Sequence, residues 1–147
     1  MSRPAIKKLG VIEIEYVAHR LAKALMEHGE PIPPFDIRYP DKLESCLKTP
    51  FQTFHKKSLY PTFETKAAML FYLMIKNHPF QNGNKRVAVV TLIYFLAENR
   101  RELDVDNMKL YEFSKDIASS RAQDKDQVLI DIRKFIMEHS RRIAGTP

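Results

Sequence analysis

The sequence predicts an all-α single domain with one short extended excursion. Three observations predict it. Apolar residues recur every three to four positions in several separate stretches. Two runs, AAMLFYLMI (residues 67–75) and VAVVTLIYFLA (87–97), are apolar nearly all round, as central buried helices are. Only the stretch from Phe51 to Tyr60 interleaves aromatics and Thr with polar residues in the manner of a strand. The 147 residues suffice for one domain with a real core and are too few for two, so residues 1–147 are read as a single unit.

Taken in order, residues 11–28 (VIEIEYVAHRLAKALMEH) place Ile14, Val17, Leu21, Ala24 and Leu25 on one helical face, and Gly29 offers a left-handed stop. EPIPPFDIRYP is too rich in Pro for a helix and reads as a loop. Asp41 to Leu47 forms a short helix closed before Pro50. An extended flap or hairpin follows at about residues 49–61. Thr62, after Pro61, is an N-cap for a helix over 63–76. A second central helix runs from Asn84 to about Asn99. Asp106 or Asn107 caps a helix through Ser119, and Asp124 caps one from 125 to about 143, with fraying expected from about residue 141. Arg141 and Arg142 are read there as solvated surface.

Composition excludes several classes. The single Cys46 rules out an internal disulfide framework and a Cys-based zinc site; it reads as a small core residue and suits a reducing compartment, the cytoplasm. The opening MSRPAIKKLG lacks the apolar stretch of a signal peptide. Neither apolar run reaches the ~18 residues that would span a membrane, and no membrane role is expected. Lys and Arg exceed Asp and Glu by six and the pI is near 9.4, which favours anionic partners. Direct nucleic-acid binding is not expected, because base-reading residues would have to lie on helices that read as buried.

Between the two central helices lies NHPFQNGNKR (77–86), a polar wedge in an apolar setting. It falls where the second helix begins, and the first turn of a helix carries unpaired N–H groups and partial positive charge. That end is a ready anion site. Gly83 admits a ligand close to the backbone. Asn84 either caps the helix or holds the loop. Lys85 and Arg86 add two cations, and Arg can grip phosphate oxygens bidentately. Phe80 is expected to plug into the core. His78 brings an imidazole, the side chain that ordinarily exchanges a proton near neutrality. A base beside a phosphate cradle is equipped to move a phosphate-containing group onto a hydroxyl. Singly, each of these residues has an ordinary structural use; their joint presence within nine positions between buried helices does not.

The run from His78 to Arg86 resembles the signature of the Fic/Doc superfamily, and Lys85 in the next-to-last place is similar to the Doc (death-on-curing) branch. The preceding LYPTFETKAAMLFYLMIK resembles the segment that joins flap to motif in Doc-like proteins. The resemblance implies a Fic/Doc-type helical bundle. It implies a toxin of a toxin–antitoxin module, with ATP or another nucleoside triphosphate as co-substrate. His78 would be the general base, drawing the proton from a Ser or Thr hydroxyl on a protein target such as a translation elongation factor, so that translation is inhibited. Gly83 and Asn84 would form the anion hole, Lys85 and Arg86 would hold phosphates, and Phe80 would anchor the loop. Thr53, Phe54, His55, Lys56 and Tyr60 would belong to a flap that aligns the target by strand addition. Lys85 favours placing the γ-phosphate at the hydroxyl, hence kinase chemistry. A Fic-type adenylyltransferase and a catalytically silent binding module are the alternatives.

Asn82 stands where family members carry Asp or Glu for Mg²⁺. It is read either as a weak metal-site residue or as a loop-stabilising amide. His55-Lys56-Lys57 forms a bulky basic flap tip, read as a solvated loop or as a contact for an acidic target. No phosphate-binding G-x-x-x-x-G-K-[ST] loop and no H-E-x-x-H zinc motif is present. His19, His28 and His139 read as surface or interhelix residues. No self-inhibitory [S/T]-x-x-x-E-[G/N] helix occurs: Glu98-Asn99 has Tyr94 at the required Ser/Thr place. Inhibition would then come in trans, from a small antitoxin whose disordered C-terminal segment folds onto this chain.

Overall fold

The computed structural model describes residues 5–25 and 31–143. Helix α1 (residues 11–25) is α-helical at Val11–Glu13, π-helical at Ile14–His19 and α-helical again at Arg20–Leu25. The wider π-turns carry extra residues per turn and rotate everything after them. The buried face is therefore Ile14, Ala18, His19 and Ala22, whereas Leu21 is exposed. A uniform helical period misplaces Leu21 and Ala24 for that reason. Leu25's side chain, His28 and Gly29 lie outside what is described.

After the loop at 31–39, Pro40 occupies the first position of α2 (Pro40–Lys48), where its missing N–H costs nothing. This helix buries Leu43, Cys46 and Leu47. Burial pushes the Cys46 thiol up to about 12, opposed by a hydrogen bond to the Asn77 side chain. Strands β1 (Thr53–Phe54) and β2 (Lys57–Ser58) then form a two-residue hairpin in the register Thr53↔Ser58 and Phe54↔Lys57. His55 and Lys56 both adopt positive φ, as the tight turns compatible with strand twist require.

Thr62 caps α3 (Phe63–Lys76): its hydroxyl accepts from Thr65 N–H at 3.1 Å, and Thr65 Oγ1 accepts from Thr62 N–H at 3.0 Å. Every residue from Lys66 to Ile75 is buried. That is possible because α3 is flanked by α2, by α4 (Asn84–Glu98), by α5 (Asn107–Ser119) and by α6 (Lys125–His139). Helix α4 is covered in turn by α1, α3 and α5. Phe63 stacks on Phe95 at 5.2 Å, binding the start of α3 to the end of α4. At the other end of α3, Lys76 donates to the Ala118 and Ser120 carbonyls at the end of α5. The all-α class with a small β-flap is the observed architecture.

One element departs from expectation. Helix α6 stops at His139 rather than near 143, and β4 (Ser140–Arg142) pairs antiparallel with β3 (Arg101–Leu103). Arg141 and Arg142 are solvent-facing but not frayed: Arg141 Nε donates to Glu102 at 2.9 Å, and Ile143 N–H donates to the Arg100 carbonyl. The pairing supplies main-chain partners to residues 101–103, which a longer helix would have left without them.

His19 is only 4% exposed, with Nε2 2.9 Å from the Pro33 carbonyl and its ring against Phe35 and Phe80. Burial, outweighing that hydrogen bond, lowers its pKa below the ordinary value. The unfolded chain then binds the proton more readily than the folded one. Stability should be complete above about pH 6.5 and decline as pH falls through the lowered folded pKa. Thermal melts of wild type between pH 7 and 5 should show this decline, and His19→Gln, which cannot titrate, should flatten it.

Candidate functional site

Helix α3 ends in a way that aims His78 outward. Asn77 is the last cap, with its N–H donating to Leu73 O at 2.9 Å. His78 follows with φ 49°, a left-handed conformation that costs a non-glycine residue about 1–2 kcal/mol. Pro79 then prevents any continuation of the helix. Its carbonyl accepts from Tyr39 N–H at 2.8 Å, tying the turn to the loop before α2. The His78 side chain is exposed.

Phe80 turns the opposite way. It is 2% exposed and packs on His19 and Phe35. Its main chain is held at both polar atoms by one side chain: Phe80 N–H donates to Asn84 Oδ1 at 2.9 Å, and Asn84 Nδ2 donates to Phe80 O at 2.8 Å. These two bonds fix which end of the amide is nitrogen. The same Nδ2 lies 3.4 Å from His78 Nδ1. An amide NH₂ only donates, so in this contact Nδ1 takes the acceptor's place.

Gly83 begins α4 with φ 77°. A Cβ there would sit 2.7 Å from Ile32 Cγ1, so glycine is required both for the backbone angle and for the approach of the 31–39 loop. Having no side chain, it leaves the first turn of α4 without a side-chain cap. Asn84 has turned its amide back to Phe80 and does not cap either. Lys85 is half-buried, while Arg86 is 4% exposed, with its guanidinium beneath Gly83. The wedge thus divides: Phe80, Asn84 and Arg86 face inward, whereas His78 and Gln81 face solvent.

Asn82 Oδ1 accepts from Gly83 N–H at 2.8 Å, and its Nδ2 reaches the Pro31 carbonyl at 3.4 Å. That bond occupies one of the two lone pairs of the carbonyl oxygen, and a neutral amide oxygen is a weaker ligand for a hard cation than a carboxylate. Among the described residues no cluster of three His, Cys, Asp or Glu side chains could hold a metal. Among the described residues, the donor set does not fit a Mg²⁺ held by protein side chains alone.

Thr53, Phe54, His55 and Lys56 are exposed on the hairpin, and Tyr60 is partly buried at its base. A residue the sequence did not flag, Lys66, secures that base. It is 8% exposed, and its ammonium donates to Ser58 Oγ at 2.8 Å and to the Tyr60 carbonyl. Burial, reinforced by Lys8, lowers its pKa. The only hint in the sequence was a lysine one residue ahead of an apolar run. Lys66 lies in the first turns of α3 and His78 just past its end, so the two backbone positions are about 18 Å apart along the helix axis. Two clefts open near the hairpin end. One, of about 460 Å³, is lined by Lys8, Leu9, Leu47, Phe51 and Thr53 among others; the second, of about 660 Å³, by residues including Lys7, Phe63, Glu98 and Arg142. His78 lines neither.

Removing the Asn84 amide would strand Phe80 N–H and C=O in a buried position. Asn84→Ala should cost about 2–3 kcal/mol in denaturant unfolding. Gly83→Ala should cost at least about 1–2 kcal/mol from its backbone angle alone, before the Ile32 clash is counted. Both losses are read from the shift in unfolding midpoint at unchanged slope.

Comparison with known proteins bears on this geometry. A model of the Fic/DOC family matches residues 12–96, more than half of the chain. No curated protein and no solved structure matches. Members of the family are transferases that act on proteins, generally draw on nucleoside triphosphates, and often pair with antitoxins. Among the described residues no helix is long and apolar enough to cross a membrane. On the span of that match, from α1 through the hairpin and motif turn to α4, the chain belongs to the Fic/DOC family.

Proposed function

We propose that this Fic/DOC protein is a Doc-like toxin that phosphorylates a Ser or Thr hydroxyl of a protein target, with His78 as general base. The observation that carries the proposal is the pairing of an outward imidazole with an uncapped helix start six residues later. The N–H groups of the first turn of α4, with the Lys85 ammonium, would receive the phosphates of the triphosphate. Lys85 favours the orientation in which the γ-phosphate meets the hydroxyl, because its long cationic side chain occupies the space that another phosphate would take against bare backbone.

In the step itself, the lone pair on His78 Nδ1 accepts the hydroxyl proton in place of the long Asn84 contact. The hydroxyl oxygen bonds to the γ-phosphorus, the bond from that phosphorus to the β–γ bridging oxygen breaks, and the diphosphate leaves. No step is assigned to a cation, since Asn82 is committed to Gly83 and Pro31. Asn84 holds the Phe80 main chain, Arg86 supports the turn from below, and Phe80 prevents the turn from rotating. The target would be an elongation factor or a comparable translation protein, held along the hairpin, and an antitoxin segment would restrain the enzyme in trans.

Adenylyl transfer is the second reading, favoured by the same anion-receiving turn. Incubation with a host-cell extract and ATP labelled at either the γ- or the α-phosphate separates the two. Protein label from the γ position alone is expected, and His78→Ala should reduce it by about 10²–10⁴-fold. Label from the α position would establish adenylyl transfer instead; no His78-dependent label from either would leave a binding module.

A further inference from the structure

Helix α1 carries two inward faces that are one residue out of step. Counted from Ile14 at the spacing of an uninterrupted α-helix, Val17, Ala18, Leu21, Ala24 and Leu25 share one side, and all are apolar. The structure buries a different set: Ile14, Ala18, His19 and Ala22. That set recovers α-helical spacing when one residue between Ile14 and Ala18 is left out of the count. The π-turns at Ile14–His19 absorb that residue. The exchange leaves Leu21 41% exposed and puts an imidazole inside, at 4%. A regular helix with Leu21 inward would avoid both.

The observed register is held by what His19 touches. Its Nε2 lies 2.9 Å from the Pro33 carbonyl, and its ring meets Phe35 edge-on at 5.3 Å and Phe80 at 5.5 Å. Those contacts tie α1 to the loop at 31–39 and to the plug of the motif turn. The surroundings suit an uncharged ring. On its own helix Lys23 and Glu15 act on it with opposite signs. The loop brings Arg38, whose guanidinium lies 4.2 Å over the Phe35 ring, and the exposed Asp36. Helix α4, packed on the π-turns, brings the buried Arg86, and the motif turn faces His19 with the Phe80 ring. Among the described residues no ion pair includes His19. A proton added to the ring is therefore buried with no carboxylate bonded to it, and a register that returns His19 to water is favoured.

We propose that α1 is a two-register switch. In acid, His19 takes up a proton and leaves the core, the π-turns revert to α-helix, and the chain beyond them rotates by one residue. Ala18 then takes the place of His19 and Leu21 that of Ala22. Phe80 loses a ring partner and the Pro33 carbonyl loses its donor, so the brace behind the motif turn is gone. For the transferase proposed above, the acid register is the inactive one. That consequence rests on the transferase reading; the rotation does not.

Methyl NMR of the full chain, labelled at leucine, reads the rotation without any need for activity. The Leu21 signals, identified by their loss in Leu21→Ala, should be broadened by a soluble nitroxide at about pH 7.5 and protected from it at about pH 5. The change should follow the titration of the His19 ring protons, while Leu43 and Leu110, both 0% exposed, stay protected throughout. Deletion of Tyr16 takes out the residue that the π-turns absorb. It should hold His19 inward on a continuous α-helix and leave Leu21 broadened at both pH values. Leu21 still broadened after the His19 ring has titrated, or core leucines losing protection together with the titration, overturns the switch. Leu21 becoming protected in acid in the Tyr16 deletion overturns it as well. Labelled-ATP transfer is read separately over the same range, and it should be lost in acid in the wild type and retained in the deletion. Absence of transfer at every pH sinks the transferase reading and leaves the rotation standing, whereas transfer that persists with Leu21 protected sinks only the regulatory link.

Discussion

The motif turn depends on one amide. Asn84 reaches back from the first turn of α4 to both polar main-chain atoms of Phe80, and so closes the connection between the two central helices. Everything polar in the turn is arranged around that closure. Phe80 can be driven into the core because its own N–H and C=O are satisfied; His78 is turned outward because Phe80 is turned inward. Asn84, occupied with Phe80, does not cap the first turn of α4, while the Gly83 N–H is taken by Asn82. A buried main chain without those two bonds would cost more than the burial of the Phe80 ring returns.

The closure is supported from outside by the loop at 31–39, which packs on the turn at three points and on α1 at a fourth. Ile32 fills the space where a Cβ of residue 83 would lie. The Pro31 carbonyl meets Asn82, the Pro33 carbonyl meets His19, and Tyr39 N–H meets Pro79. The Pro-rich composition that keeps this stretch from becoming a helix also stiffens it, so its carbonyls are offered at fixed places with little entropy to lose. His19 couples that loop to α1 through an uncharged ring, which makes the support of the turn sensitive to acid.

Much of this was legible in the residues. The capping chemistry of Thr62 and Asp106, the all-round apolarity of 67–75 and 87–97, and the strand-like alternation around residue 54 each carry local information that packing only reinforces. The inward plug of Phe80 was likewise readable from its neighbours, whereas Gly83 reads from sequence as a place for a ligand and its positive φ and the nearness of Ile32 come from packing. Other features were not. The π-turn in α1 has no sequence signature, so the face of Leu21 was misplaced. The β3–β4 pairing joins residues some forty apart, and nothing in Arg101–Leu103 or Ser140–Arg142 singles them out as partners. Arg86 and Lys85 are adjacent cations in the sequence, and only the packing under Gly83 separates an inward guanidinium from an outer ammonium. Lys66 was invisible because a lysine at the edge of an apolar run ordinarily reads as a snorkelling surface residue, not a latch.

Cys46 gives the molecule a built-in reporter. Its thiol is fully buried and held protonated, so it is inert to electrophiles while the fold is closed. It also touches Asn77, the residue that ends α3 immediately before the imidazole. An alkylating reagent can reach that sulfur only when the packing around α2 opens. As the sole thiol in the chain, it ties any observed modification by such a reagent to exposure of that one site. The speed at which a native sample takes up a bulky maleimide is therefore a clock for breathing at the base of the motif turn.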